Sequence, residues 1–194
     1  MPWPTLWGPY GMAESRVTMD QLLDVLSQRA KHHHERNLVL VALPLETAHD
    51  NAAQLAEALG AEYVDFDCRL LTRMEEDGWD DHVALERRDT LSVGQMLARG
   101  WLADVEGLIS RERPLVIGNL NLAVRYELDV AGALYDGTER GLCIIAAGGR
   151  VERQTLLIHG RLAQTGAGSQ AYEVVSETED TRPDSPRTLQ ERLL

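Results

Sequence analysis

The sequence predicts an α/β fold, a three-layer sandwich on a mostly parallel sheet of about five strands. Two observations predict it. Apolar runs of strand length occur at LVLVAL (38–43), at the start of LVIGNLNLAV (115–124) and at GLCIIAA (141–147), as in strands that are dry on both faces. Between them lie segments whose apolar residues recur at helical spacing, the pattern of crossovers that place helices on both faces of a parallel sheet. The chain's 194 residues suit one domain, on a prior of roughly 100–200 residues per domain. That length buries a core without help from disulfides or a structural metal.

Residues 1–17 combine Pro2, Pro4, Gly8, Pro9 and Gly11 with Trp3 and Trp7 and show no period, so a flexible arm is expected, with Met12 as an alternative start. Thr18 and Gln21 form a capping-box pattern ahead of Leu22, Leu23, Val25 and Leu26, which predicts a helix over 18–33. The strand 38–43 is closed by Pro44. Ala52, Ala53, Leu55, Ala56 and Leu59 then mark a helix over 46–59, capped by Gly60. EYVDFD (62–67) reads as the next strand, and the charged stretch 70–90 as a loop with short helical pieces.

Leu97, Trp101, Leu102, Val105, Leu108 and Ile109 form the buried stripe of a long helix over 91–111. The third strand starts after Pro114, a short helix is expected over 128–135, and the fourth strand covers 141–147. QTLLIH (154–159) and AYEVV (171–175) are expected to pair as a hairpin or to lie at sheet edges, where 171–175 would be open to a partner. The tail from Ser176 is acidic, proline-punctuated and free of aromatics, so disorder is expected there and the folded domain spans 18–175.

Charge narrows the function classes. Nineteen basic against 31 acidic side chains give a formal net charge of −12, which opposes general adsorption to nucleic acid or anionic membrane. Lys31 is the only lysine, so a phosphate-loop, Schiff-base or general-base lysine would have to be that residue. Cys68 and Cys143 are too far apart for a paired-cysteine zinc or redox motif and read as buried thiols of a reducing compartment. No run approaches the roughly 18 apolar residues of a spanning helix. The N-terminus lacks the basic and apolar regions of a secretion signal, so cytoplasmic residence is the expectation.

In a parallel α/β sheet, ligands sit beyond the carboxyl ends of the strands. A phosphate loop, GxxxxGK[ST], uses glycines to turn backbone N–H groups toward phosphate, a lysine for the terminal phosphates and a hydroxyl for magnesium. Aligned on the first strand's exit, that motif falls on Ala42, Thr47, Ala48 and His49, none of which matches, and Lys31 precedes the strand. The third strand would end in a magnesium-binding carboxylate, yet Gly118 stands there, followed by Asn119. No cofactor is therefore expected.

The order of strands and helices nevertheless looks like a small P-loop ATPase domain. More narrowly, over most of residues 20–175 it resembles the small P-loop protein of bacterial BREX phage-exclusion systems, the BrxF family. The resemblance sets Gly118-Asn119-Leu120-Asn121 against that family's Asp-Asn-Ile-Glu, and residues 167–172 against its Pro-Gly-His-Pro-Glu-Tyr. Asn119, Gly168 and Tyr172 match directly. It implies a degenerate member that has lost its ATP chemistry and serves as a small partner subunit in a defence assembly.

Other residues suggest other chemistry. Asp65 and Asp67 point to one side if their strand stays extended, and with His49 and Asp50 they would form a carboxylate-rich metal site; helix caps or solvated carboxylates are the plainer alternative. Consecutive histidines 32–34 point about 100° apart on a helix and cannot converge on one ion, so a solvated helix end is expected. GAGS (166–169) reads as a turn between hairpin strands, Trp101 as a core or interface aromatic, and Trp79 as a partner contact if exposed. Together these features favour a non-catalytic subunit that binds proteins. A small metal-dependent hydrolase or nucleotide-processing enzyme is the alternative, and a nucleic-acid charge mimic that binds a basic partner is a third possibility.

Overall fold

The structure, a computed structural model, describes residues 15–32, 36–76, 78, 83–84, 86–164 and 169–175. Helix α1 (Met19–Lys31) starts at the capping box: the Thr18 side chain accepts from the Gln21 backbone N–H, and the Gln21 side chain accepts from the Thr18 N–H. Strand β2 (Leu38–Leu43) is buried along its whole length. Its even-numbered residues face one layer and its odd-numbered residues the other, following the two-residue period of a strand. Leu38, Leu40 and Ala42 join one core cluster, and Val39, Val41 and Leu43 join the second.

The parallel strands lie in the order β1 (Ser15–Val17), β8 (Gln170–Val174), β2, β5 (Cys143–Glu152), β4 (Leu115–Gly118) and β3 (Glu62–Asp65). From β2 the chain crosses to the far edge at β3, steps back through β4 and β5, and returns as β8 on the other side of β2. Helices α1 and α2 (Ala48–Leu59) cover one face through Leu22, Leu26, Ala52 and Leu55. On the opposite face lie α3 (Phe66–Glu76), α4 (Thr90–Leu108), α5 (Asn121–Arg125) and α6 (Val130–Leu134). Phe66 and Trp101 meet there edge to face, with ring centroids 4.3 Å apart. This is the expected three-layer, P-loop-like sandwich.

The strand inventory differs from the expected one. Among the described residues the sheet has eight strands, six of them in the parallel path, rather than about five. Residues 15–17, assigned to the arm, form β1 and pair in parallel with β8, while residues 1–14 lie outside the described residues. Strand β8 is interior, held between β1 and β2, and does not form a hairpin with the 154–159 segment. That segment, β6 (Thr155–Ile158), pairs antiparallel with the second half of β5 and with β7 (Arg161–Gln164). Both connecting turns, Arg153-Gln154 and His159-Gly160, have two successive residues at positive φ, the twist that two-residue hairpins need.

Residues 62–67 are not one strand: β3 ends at Asp65 and α3 begins at Phe66. Asp65 accepts the Cys68 N–H at 2.8 Å, which caps the new helix, and Phe66, Leu70 and Met74 then bury one helical stripe. The start of the segment 70–90, expected as a loop with short helical pieces, is therefore helical as far as Glu76. The acidic tail from Ser176 lies outside the described residues. Cys143 is fully buried in β5, where burial pushes its thiol pKa up to about 12, whereas Cys68 is exposed, not buried as expected. Iodoacetamide at neutral pH should modify Cys68 in the native protein and reach Cys143 only after denaturation; peptide mass mapping reads the difference.

Candidate functional site

At the exit of β2 no glycine loop wraps outward. Ala42 is buried inside the strand, opposite Ala147 and Glu173. Pro44 leads into a 3₁₀ turn (Leu45–Thr47), and Ala48 already belongs to α2. This connection lies directly on β5: a Cβ placed on Gly148 would come within 2.9 Å of Leu45 Cδ1 and 3.1 Å of Ala48 Cβ. Ala48, at the position aligned with the phosphate-loop lysine, thus packs against the sheet. Thr47 accepts a hydrogen bond from the Asn51 amide at 2.8 Å and gives α2 no side-chain cap.

The third strand's exit has its own occupant. A Cβ on Gly118 would lie 2.7 Å from the Tyr63 hydroxyl and 3.1 Å from Ala52 Cβ. The space that a metal-binding carboxylate would need is therefore filled by a tyrosine from the neighbouring strand. The Tyr63 hydroxyl is buried and has no hydrogen-bond partner among the described residues. Burial, reinforced by the negative fields of Asp65 and Asp67, pushes its pKa up to about 12.

Asp65 and Asp67 do not share a strand face. Asp65 stands at the sheet end, with His49 Nδ1 3.8 Å from one carboxylate oxygen and the exposed His49 ring edge-on to Tyr63. Asp67 lies in the first turn of α3 and caps α5, accepting the backbone N–H groups of Asn121 at 3.2 Å and Leu122 at 2.8 Å. Burial raises its pKa above the usual carboxylate range, and those same hydrogen bonds pull against the shift. Among the described residues no three or more His, Cys, Asp or Glu side chains gather as a metal site would require.

Asparagine side chains connect what the two aspartates do not. Asn119, at φ 55°, donates from Nδ2 to both oxygens of Asp65 at 3.1 and 3.2 Å. Its Oδ1 accepts from Asn121 Nδ2 at 2.8 Å, and Asn121 Oδ1 lies 3.0 Å from His159 Nε2. Because a carboxylate only accepts, the chain of bonds orients both amides and assigns the proton to His159 Nε2. Asn119, Asn121 and His159 rim a cavity of about 130 Å³ between the start of α2, the β4 exit, Ala146–Gly148 and the β6–β7 turn. Asn121, His159 and Tyr63 were missed in the sequence; Asn119-Leu120-Asn121 at a strand exit was the available signal.

The remaining sequence features are dispersed. His32 ends α1, while His33 and His34 lie outside the described residues, as do Trp79 and residues 166–168. Ser169 leads from β7 toward β8 rather than between hairpin partners. Trp101 is a core residue. Among the described residues no helix is long and apolar enough to cross a membrane. The chain matches no protein-family model, no curated protein and no solved structure.

Two outcomes test this geometry. Tyr63→Phe deletes an unpartnered buried hydroxyl and should stabilise the fold by about 1 kcal/mol in urea unfolding, whereas Gly118→Asp, driven into that ring, should cost about 1–3 kcal/mol. A raised native pKa makes Asp67's contribution complete below the ordinary carboxylate pKa and lost as pH climbs through the native value. Asp67→Asn should flatten stability against pH over that window in the same assay.

Proposed function

We propose that the protein is a non-catalytic, P-loop-like subunit that works by binding other proteins. The observation that carries this is the β2 exit, where Leu45 and Ala48 rest on Gly148 and leave no backbone cradle for phosphate. The Tyr63 ring against Gly118 supports it from the metal-ligand side. A sheet that keeps its layers without these two devices still offers a rigid platform, and a net charge of −12 gives a basic protein a field to read. The resemblance to the BrxF family suggests the setting, a multi-component phage-defence assembly in a bacterial cytoplasm, without direct contact to nucleic acid.

Calorimetric titration with ATP and magnesium should give no binding heat, and the protein purified at native levels should carry a stoichiometric protein partner whose release rises steeply with salt. Magnesium-dependent ATP turnover that disappears when the β2 exit is altered would overturn the proposal. A small metal-dependent hydrolase is the second candidate, favoured by the approach of His49 to Asp65 at the strand ends. It requires a heat of manganese or magnesium binding that Asp65→Ala abolishes.

A further inference from the structure

We propose that a cleft at the opposite end of the sheet, the amino-terminal ends of β2, β4 and β5, binds a small oxyanion, a phosphate- or carboxylate-bearing molecule. The cleft encloses about 210 Å³ and is lined by Lys31, His32, Asn37, Ser110, Arg111 and Thr138, among others. It goes beyond the protein-binding role and uses none of the residues at the strand exits.

Asn37 is the informative residue. It is only 6% exposed and opens β2, its backbone carbonyl accepting from Cys143 N–H. Its Oδ1 accepts from Arg29 Nε at 2.5 Å. An arginine only donates, so the amide oxygen must face Arg29, and Nδ2, with two N–H donors, is directed away from it. No partner for Nδ2 occurs among the described residues, and Asn37 lines the cleft. Among the described residues the Tyr63 hydroxyl is the buried side-chain polar atom without a partner, so the two Nδ2 donors of Asn37 are open to the cleft rather than sealed in the core.

The rest of the lining fits the same ligand. Ser110 Oγ accepts from Arg113 N–H at 3.3 Å, which leaves its own proton to donate. Lys31, the only lysine of the chain, makes no ion pair among the described residues. Arg111 also lines the cleft, and the acidic residue of the lining, Glu139, is paired with Arg36 at 2.9 Å. The ends of α1 and α4 oppose an anion, each by roughly half a charge, and the whole charge of Lys31 offsets them. Gly141 holds the wall close: a Cβ there would lie 1.9 Å from the Ser110 carbonyl oxygen.

The test is a ¹H–¹⁵N NMR titration of the full chain at constant pH. Inorganic phosphate is the probe in one arm and acetate in the other. Shifts of the Asn37 side-chain amide and the Ser110 and Gly141 N–H signals are expected, saturating with at least one anion. Saturation by phosphate alone assigns a phosphate ligand, and saturation by acetate assigns a carboxylate. Lys31→Gln, an exposed change that leaves the fold alone, should weaken binding roughly tenfold by removing one charge-assisted bond. Asn37→Asp keeps the oxygen facing Arg29 and replaces the two donors by an anion, so it should abolish binding. Absence of shifts at these residues with both anions, or binding unchanged in Lys31→Gln, would overturn the proposal, and either result leaves the protein-binding role untouched.

Discussion

Strand β2 is the constraint on which the rest of the molecule depends. Its six residues are buried on both faces and paired in parallel on both edges, with β8 and with β5. A strand in that position cannot turn a polar side chain anywhere, so every residue from Leu38 to Leu43 is apolar. Each fully buried valine or leucine contributes about 1.5–3 kcal/mol relative to exposure, and β2 feeds both core clusters, as β4 and β5 do beside it. Parallel pairing also dictates the connections, since each return to the sheet must cross a face, and the crossings supply the helices that cover β2.

The strand exits in this protein are occupied by structural polar contacts. Asp65 caps α3 and orients Asn119, while Asp67 caps α5. In an α/β sheet these are the positions from which ligands are usually held, and here their lone pairs are satisfied by backbone N–H and amide groups. At the amino-terminal end the Asn37 Nδ2 donors open on the cleft and Lys31 has no ion pair among the described residues, while the carboxylate of Glu139 is held by Arg36.

Much of the fold was legible in the sequence because its signals were local. LVLVAL could only be a doubly buried strand, and Thr18 with Gln21 announced the start of α1 in four residues. Less visible were features that depend on remote partners. Ser15–Val17 carries no strand signal, and it becomes one because β8 offers an unpaired edge. The turns at Arg153-Gln154 and His159-Gly160 lack the usual Asn-Gly or Asp-Gly signature, so the β5–β6–β7 meander was hidden, although its residues adopt the required positive φ. The strand at 62–67 was overextended by two residues, because Asp65 reads as a strand end or a helix cap until Phe66, Leu70 and Met74 are seen as one stripe.

The candidate site was legible only in part. Ala42, Thr47, Ala48 and Gly118 revealed by residue type alone that phosphate-loop chemistry is missing, since no packing can supply an absent lysine or carboxylate. What occupies the vacated positions was a tertiary matter: Tyr63 reaches Gly118 from the next strand, and Leu45 and Ala48 settle on Gly148 from a different element. The chain from Asp65 through Asn119 and Asn121 to His159 joins residues up to 94 positions apart. Sequence alone determined the layers, the parallel sheet and the missing residue types, because each depends on short-range periodicity or on identity. Only the tertiary structure decided that Lys31 and Asn37 line one cleft with Ser110 and which carboxylates cap helices, because hydrogen bonds reach about 3 Å and only the folded sheet brings elements so far apart in the chain that close.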